Sequence, residues 1–503
     1  MSLAATCWWT LARTVVLCLL AWPVCRIIER SLNHLSQRWR PWLLAGLLAP
    51  CCFPELLVGY AFRDLALAEP NWAEALCSGL LFVRMIPVGT IALLAAPRSS
   101  LDATALYCRQ LLGRSRSGWR RHGLEVARCY WHGPIVRALP ALALMSIVAF
   151  QEFELAALLQ TMSWTDWFVA AERVGLDRGE MLRQSLLPLL WQTPLLLGVL
   201  CWLRADPDRR DDASSQSESV DDRNNRRLVW LGVACVCALL IVGCVIPLLL
   251  IGWRNVIPVG LFQRLSDDGM SRSVDGLSLL FRQRHRLPGL ALEMATSGAI
   301  AVCAGVSAWI ISGRLKGFIA NALLLGLFGS LLLSLGCVAL FQLAWLRPVY
   351  DTPIPWVVAL VVWLLPRAAI LRLWLHSLRN NEAIHVAEML RGAGAARPGP
   401  NEKSLPRRGV FRPSSLTPRP SPLLWHLRDQ PQFLAVSLLC YWAYCDLPTA
   451  YLLAPTGMAS GLVRLYNFMH FGRSAALSAE ATVFFGVPVV CILLVLLVNR
   501  RFR

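Results

Sequence analysis

The stretch from Trp363 to Gly394, WLLPRAAILRLWLHSLRNNEAIHVAEMLRGAG, passes from an apolar run to a basic edge and ends in a short amphipathic segment. Pro366 lies within the apolar run, and Gly392 closes the segment. If the segment is helical, its apolar residues share one side, and a glycine can supply the left-handed turn that stops a helix. The apolar side consists of Ala383, Val386 and Leu390. This pattern predicts a membrane span followed by a short amphipathic helix.

The same construction occurs once more, from Arg84 to Gly113. The spacing from Pro87 to Gly113 equals the spacing from Pro366 to Gly392, so one shift of the numbering aligns both pairs. The apolar side of the first copy consists of Ala105, Cys108 and Leu112. A span, a basic exit and an amphipathic helix that occur twice predict two halves of one membrane device.

The composition is that of a membrane protein. Of 503 residues, 56% are hydrophobic and only 16% are charged, and the mean hydropathy is +0.51. Apolar runs of about 20 residues recur, which is the length that crosses a bilayer as a helix. The net charge of +18 comes from arginines outside these runs, which favours positive-inside membrane topology over nucleic-acid binding. The 17 cysteines lie mostly in apolar runs and the histidines lack ligand spacing, so we expect no metal and no cofactor.

We predict an all-α polytopic membrane protein with about eleven transmembrane helices. Their approximate ranges are 6–26, 41–62, 73–96, 134–158, 181–203, 228–253, 289–311, 317–344, 354–377, 431–454 and 480–499. The loops 97–133 and 378–430 carry an excess of basic residues and are placed inside, which puts the N-terminus outside and the C-terminus in the cytoplasm. The arginine-rich loop 254–287 then lies outside, as an exception to the charge rule. The first run lacks a basic leader and a clean cleavage site, so we interpret it as a span rather than a signal peptide.

A polar linker, 204–227, separates a first half of about five spans, 1–203, from a second half of about six, 228–503. The second half contains a Pro- and Arg-rich cytoplasmic insert, 393–424. The repeat continues beyond the loops, because AFQEFELAALL at 149–159 matches AYCDLPTAYLL at 443–453, which aligns Glu152 with Asp446. The third and ninth spans run in the same direction, so the two homologous bundles are predicted to be parallel.

The sequence contains neither a GxxxxGK[ST] nucleotide loop nor the catalytic motifs GxSxG and HExxH, so we do not expect an enzyme. Cytoplasmic amphipathic helices between spans can dock into the groove of a soluble partner. This combination is typical of a transport pore that is driven by a separate protein.

The chain resembles a fused, two-half permease of a type I ABC importer, of the iron(III) and thiamine type. That family has a Glu-Ala-Ala motif followed after three residues by Gly in each half, where the ATPase docks. The corresponding residues are Tyr107, Cys108, Arg109 and Gly113 in the first half, and Val386, Ala387, Glu388 and Gly392 in the second. Both glycines match, but the leading glutamate matches in neither half. A second register, which pairs Glu388 with Gly394, restores the leading glutamate in the second half. The register that ends at Gly392 and the one that ends at Gly394 both stay open. The segment from Asp446 to Gly472 is similar to the stretch before the last span of iron-type permeases, and FQEFELAALL resembles its counterpart in the first half.

The resemblance implies a permease in the bacterial inner membrane that imports a small solute, with ferric iron as one candidate. It implies two copies of an ABC ATPase and a periplasmic or lipid-anchored substrate-binding protein as partners, with membrane lipid around the spans and no nucleic acid. The alternative is a secondary carrier or a membrane sensor that needs no ATPase.

Acidic residues inside spans are costly and often functional. Glu152, Glu154 and Asp446 lie in the outward thirds of the fourth and tenth spans, where they either line the passage near its outer mouth or pair with an arginine to lock the two halves. Arg84 and Arg367 are partners by residue type, but we expect them nearer the inner side. Tyr466, Asn467 and His470 lie on an outer segment that either receives the binding protein or packs as a surface helix.

Overall fold

The computed structural model describes residues 2–36, 38–96, 136–176, 178–204, 222–256, 287–314, 325–378, 429–458, 460–470 and 474–501. Throughout these ranges the ordered elements are helices, with no strand. Both predicted docking helices and the insert 393–424 lie outside the described residues. This applies to Ala105, Cys108, Leu112, Gly113, Ala383, Val386, Ala387, Glu388, Leu390, Gly392 and Gly394.

The first group of helices ends before the predicted linker. It consists of α1 (Leu3–His34), α2 (Arg40–Cys52), α3 (Glu55–Ala68), α4 (Pro70–Ala95), α5 (Val136–Phe150), α6 (Glu154–Leu159), α7 (Trp164–Arg173) and α8 (Arg178–Arg204). Helix α8 reaches Arg204 and the next helix begins at Asp222, and residues 205–221 of the predicted linker lie outside the described residues.

The second group follows the linker. It starts with α9 (Asp222–Leu240), which continues through the π-helical turn Ile241–Val245 into α10 (Ile246–Val256). The others are α11 (Leu287–Arg314), α12 (Ser330–Phe341), α13 (Arg347–Tyr350), α14 (Ile354–Leu378), α15 (Gln430–Tyr444), α16 (Leu447–Leu453), α17 (Gly461–His470) and α18 (Ser474–Arg501).

The chain is an α-helical, multi-pass membrane protein, as predicted. Within the described residues, six helices are long and apolar enough to cross a bilayer, and two bent helix pairs raise the number to eight. The pairs are α2 with α3, bent by 69°, and α15 with α16, bent by 52°. The other predicted spans contain α8 and the shorter apolar helices 138–150 and 330–341. The count of eleven therefore stays a prediction.

Exposed tryptophans lie near the ends of several helices: Trp8, Trp9, Trp39, Trp42, Trp72, Trp230, Trp253 and Trp345. Trp9 Nε1 donates to Glu74 at 3.3 Å, which brings Trp9 and Trp72 to one end of α1. Ser31 Oγ donates to the Val229 carbonyl at 3.2 Å, which brings Trp230 to the other end. From 230 to 253 the helical rise amounts to roughly 35 Å, a spacing that fits tryptophan belts on either side of a hydrocarbon core of about 30 Å.

Four helices within the described part of the chain, α3, α6, α12 and α16, begin at one internal cavity. Phe53, between α2 and α3, is extended (φ −83°, ψ 127°) because a residue that precedes proline avoids the helical conformation. Gly329, before α12, has φ +90°, which glycine adopts without strain. From Trp42 to Phe53 the helix rises roughly 16 Å, about half the thickness of a hydrocarbon core.

The helices before and after the linker repeat one set of contacts. α1 packs on α4 and α5, and α11 packs on α14 and α15. Likewise α3 packs on α6, and α12 packs on α16. Phe150 stacks on Trp164 at 5.5 Å, and Tyr444, at the equivalent position of the repeat, stacks on Phe484 at 4.5 Å. The ring partner comes from α7 in the first case and from α18 in the second.

The span formed by α9 and α10 packs against helices of both groups. α9 packs along α1 and α2, whereas α10 contacts α3 and α18. Gly232 in α9 lies against Ser31 of α1, so a side chain there would overlap the serine. This span follows the linker in sequence but covers helices that precede it.

A close contact between α14 and the residues before α12 can be tested by substitution. Pro366 lacks an N–H, so the Val362 carbonyl four residues earlier has no helical partner, and Gly326 packs against both. A Cβ at Gly326 would overlap the Val362 oxygen and lie 2.7 Å from Pro366 Cδ. We predict that Gly326→Ala costs about 1–3 kcal/mol, seen as a lower Tm in detergent.

Gly336→Ala is the matched control, because an added Cβ at Gly336 in α12 meets nothing within 4 Å. We expect its Tm to equal or exceed that of the parent, since glycine weakens a helix interior relative to alanine. A Gly326→Ala protein as stable as the Gly336→Ala protein would contradict the packing described here.

Candidate functional site

The candidate site is a cavity of about 130 Å³ where helix breaks from both predicted halves meet. Its charged lining residues are Glu55, Arg84, Glu152, Glu154, Arg367 and Asp446. The three acids singled out from the sequence, Glu152, Glu154 and Asp446, are all buried and lie around this one cavity. The fold thus brings Asp446 to the same cavity as Glu152 and Glu154, which lie far from it in the sequence.

Glu152 and Asp446 carry out the same structural task. Glu152 Oε1 accepts a hydrogen bond from the Leu155 N–H at 2.7 Å, at the start of α6. Asp446 accepts from the Thr449 N–H at 3.1 Å, at the start of α16, and also from the Thr449 hydroxyl. The alignment that pairs Glu152 with Asp446 also pairs Leu155 with Thr449. The repeat found in the sequence is therefore a repeat of helix caps, which satisfy N–H groups that no water reaches.

Glu154 is also buried, and it lines the same cavity as Asp446 of the second predicted half.

Arg84 forms an ion pair with Glu55, a residue that the sequence analysis did not single out. Its Nη1 also donates to the Phe53 carbonyl at 3.3 Å. The sequence placed Arg84 and Arg367 apart from the acids, whereas the structure brings both arginines and the acids around one cavity. The sequence does contain a feature that singles out Glu55: it is a charged residue directly after Pro54, within the apolar run 41–62.

Arg367 contacts its own helix. Its Nη1 donates to the Trp363 carbonyl at 2.9 Å, and its guanidinium lies 3.9 Å from the centre of the Trp363 ring. Within the described residues it forms no ion pair within 4 Å. A guanidinium over an indole face is stabilised by the ring quadrupole, most strongly where water is excluded.

The cavity is close to neutral when helix ends are included. Four carboxylates and two guanidinium groups give a formal charge of −2 for its lining. Each helix N-terminus contributes about +0.5, and four helices begin here in the described part of the chain. The volume holds a few waters at about 30 Å³ each and is smaller than an ordinary ligand pocket. Among the described residues, no group of three His, Cys, Asp or Glu could hold a metal ion.

Two further hydrogen bonds cross between the predicted halves and were not expected from the sequence. Trp442 Nε1 donates to the Cys51 carbonyl at 3.0 Å. Gln151 Nε2 donates to the Leu327 carbonyl and, at 2.7 Å, to Gln192 Oε1. Both bonds end at carbonyls next to a helix break, where the main chain has no helical donor.

The residues proposed to meet a binding protein lie on α17, and the structure separates them. Tyr466 is buried, and its ring lies 6.4 Å from Phe153 and 6.3 Å from Tyr451, so it packs within the protein. Asn467 is exposed and lines a groove of about 540 Å³ between α16 and α17. His470 ends α17, and its side chain lies outside the described residues.

The chain between α16 and α17 is held in place by Asp351, which lies between α13 and α14. Asp351 accepts from the Thr456 N–H at 2.8 Å and from the Thr456 hydroxyl. These two donors lower the pKa of the Asp351 carboxyl below its ordinary value, since they stabilise its charged form. These bonds hold the segment around Thr456, whose neighbours Pro455 and Met458 line the groove beside Asn467.

Comparison with models of protein families, with curated proteins and with solved structures finds no match to this chain. The function is therefore argued from the cavity, the repeat and the sequence motifs.

The capping role of Asp446 gives a direct prediction. Asp446→Ala leaves the Thr449 N–H without an acceptor in the membrane and is expected to cost about 1–2 kcal/mol. Asp446→Asn keeps an acceptor oxygen and should retain most of the stability, since asparagine caps as well as aspartate. The measurement is the Tm of both variants in detergent. An alanine variant as stable as the asparagine variant would show that the cap is dispensable.

Proposed function

We propose that this chain is the transmembrane permease subunit of an ABC importer. In this proposal eleven spans form two parallel, homologous bundles, and a small solute passes between them. The observation that carries it is the cavity bounded by matched helix breaks from the two predicted halves. Helices interrupted at the midplane are a recurring way to build a transport site in membrane proteins.

The sequence supports the choice of an ATP-driven system. It has no nucleotide-binding loop of its own, and it contains two amphipathic segments at equivalent positions after matched spans. We propose that two ATPase copies dock at 102–113 and 382–392, and that a periplasmic or lipid-anchored binding protein delivers the solute near Asn467. The protein then lies in the bacterial inner membrane, with the N-terminus outside and the C-terminus in the cytoplasm. The resemblance suggests ferric iron as one solute.

An ATPase can drive the pore only if it binds one pore conformation better than the other. The docking helices are short, so their apolar residues are expected to dominate the contact. Replacing Leu112 and Leu390 by Asp places an unpaired charge in each interface, which costs several kcal/mol. We predict that the double variant fails to co-purify with the ATPase and that ATP-dependent uptake into reconstituted vesicles is lost.

Gln110→Asp combined with His385→Asp is the matched control, because it adds the same charges to the opposite sides of both predicted helices. We expect it to retain the ATPase. Uptake by the purified chain alone, driven by an ion gradient without ATP, would contradict the importer proposal and favour a secondary carrier.

The proposed orientation has its own test. The loops 97–133 and 378–430 are cytoplasmic in this proposal, because each has a clear excess of basic residues. Single cysteines introduced by Ser115→Cys and Ser414→Cys, in a background without other reactive thiols, should resist an impermeant reagent in intact cells. They should react after permeabilisation. Rapid labelling of either cysteine in intact cells would show that its loop lies outside, contrary to the proposed topology.

A further inference from the structure

The groove between α16 and α17 lies about one helical turn from the cavity. Pro448 of α16 lines the cavity, and Tyr451, on the next turn of the same helix, lines the groove. The helical rise between these two residues is roughly 4.5 Å. The groove has a volume of about 540 Å³, and three polar side chains, Ser460, Arg464 and Asn467, line it together with apolar ones. The two spaces are therefore neighbours along α16.

A row of three aromatic rings separates the cavity from the groove. Phe153 lines the cavity, and the centre of its ring lies 6.4 Å from that of Tyr466 in α17. The ring of Tyr466 lies 6.3 Å from that of Tyr451, which lines the groove. Phe153 and Tyr466 are buried, whereas Tyr451 is exposed at the groove. Tyr466 is thus the middle member of a row that runs from the wall of one space to the wall of the other.

Polar contacts around the groove show that it lies at one face of the membrane. Arg464 of α17 donates to Glu293 at 3.0 Å and to Glu480 at 2.8 Å. Glu293 lies near the start of α11, and Glu480 is the first residue of the apolar span of α18. Asp351, which accepts from Thr456, comes just before α14. Because three spans begin beside the groove, it lies at the membrane face where those spans begin.

We propose that the groove is the vestibule through which a small polar solute reaches the cavity, and that Phe153, Tyr466 and Tyr451 form the barrier between the two spaces. Its polar lining and its distance of one turn from a charged cavity favour water and solute as occupants over a lipid chain. This inference rests on the proposed passage of a solute between the bundles, but it requires no ATPase. In the proposed orientation α11, α14 and α18 begin outside, so the vestibule is external.

The test measures how fast an impermeant thiol reagent labels the full chain in right-side-out and in inverted vesicles. One protein has Asn467→Cys as its sole reactive thiol and identifies the face on which the groove opens. A second protein has Cys445, which lines the cavity, as its sole reactive thiol. Cys445 should react slowly in this parent. Tyr466→Ala removes both ring contacts of the row and should accelerate its labelling about tenfold, from the face that labels Asn467→Cys.

Tyr451→Ala is a second variant for the case that Tyr466→Ala does not fold. It removes the exposed end of the row and should act in the same direction. Phe168→Ala is the matched control, because Phe168 is a buried ring of α7 that contacts Trp164 at 5.9 Å and Trp167 at 5.3 Å. Phe168 is not among the described residues that line the two spaces. Its removal should lower the Tm without accelerating the labelling of Cys445.

The route through the groove is tested by filling it. Ala454 lines the groove, so Ala454→Trp combined with Tyr466→Ala should abolish the acceleration. Labelling of Asn467→Cys from neither face would show that lipid or protein fills the groove and would overturn the proposal. Rapid labelling of Cys445 in the parent, acceleration from the opposite face, acceleration that persists with Ala454→Trp, or an equal effect of Phe168→Ala would also overturn it.

The vesicles contain this chain alone, without ATPase, binding protein or solute. The importer proposal can therefore fail, by uptake without ATP, while the labelling still supports the vestibule. Conversely, ATP-dependent uptake together with unchanged labelling of Cys445 would leave the importer in place and exclude this route to the cavity.

Discussion

The structure depends on one constraint: four helices of the described chain begin at one cavity inside the protein. The first N–H groups of any helix have no partner within it, and the apolar interior of a membrane protein offers no bulk water to serve as one. Each such start therefore needs an acceptor from the protein. Glu152 and Asp446 supply one for α6 and α16. These two buried acids are explained by this demand before any role in binding a solute is considered.

The cavity follows from the same constraint. A helix that stops and restarts at an angle leaves its last carbonyls and its first N–H groups facing the bend. Where two such bends from different parts of the chain meet, the polar main-chain groups face each other and side chains bridge them. The bonds from Trp442 to Cys51 and from Gln151 to Leu327 are of this type. A small polar space in an apolar protein is the necessary consequence of breaking helices there.

The sequence predicted the membrane-spanning helical class, because apolar runs of bilayer length are unambiguous. It also paired Glu152 with Asp446, since both occupy the same place in a repeated motif. It did not reveal the break within the run 41–62, because Pro54 interrupts the helix without lowering the hydropathy of the run. The same holds for the run 431–454, where α15 ends at Tyr444 and α16 begins at Leu447. Contacts between residues on different helices, such as Arg84 with Glu55, depend on the angles at these breaks. Such contacts produce no periodic pattern in the sequence from which they could be predicted.

The two sets of helices differ at their charged positions. The alignment that pairs Glu152 with Asp446 places Pro448 opposite Glu154, so this buried acid has no acidic counterpart in the second set. The alignment that pairs Pro87 with Pro366 places Trp363 opposite Arg84, and the helix start that corresponds to Glu55 is Ser330. The Arg84–Glu55 ion pair of the first half therefore corresponds to the Trp363 indole and the Ser330 hydroxyl in the second half.

Such a difference is possible within a single chain. Two identical chains related by a two-fold axis would have to duplicate every charged group at such a cavity. Because both repeats lie in one chain here, the Arg84–Glu55 ion pair needs no counterpart in the second repeat.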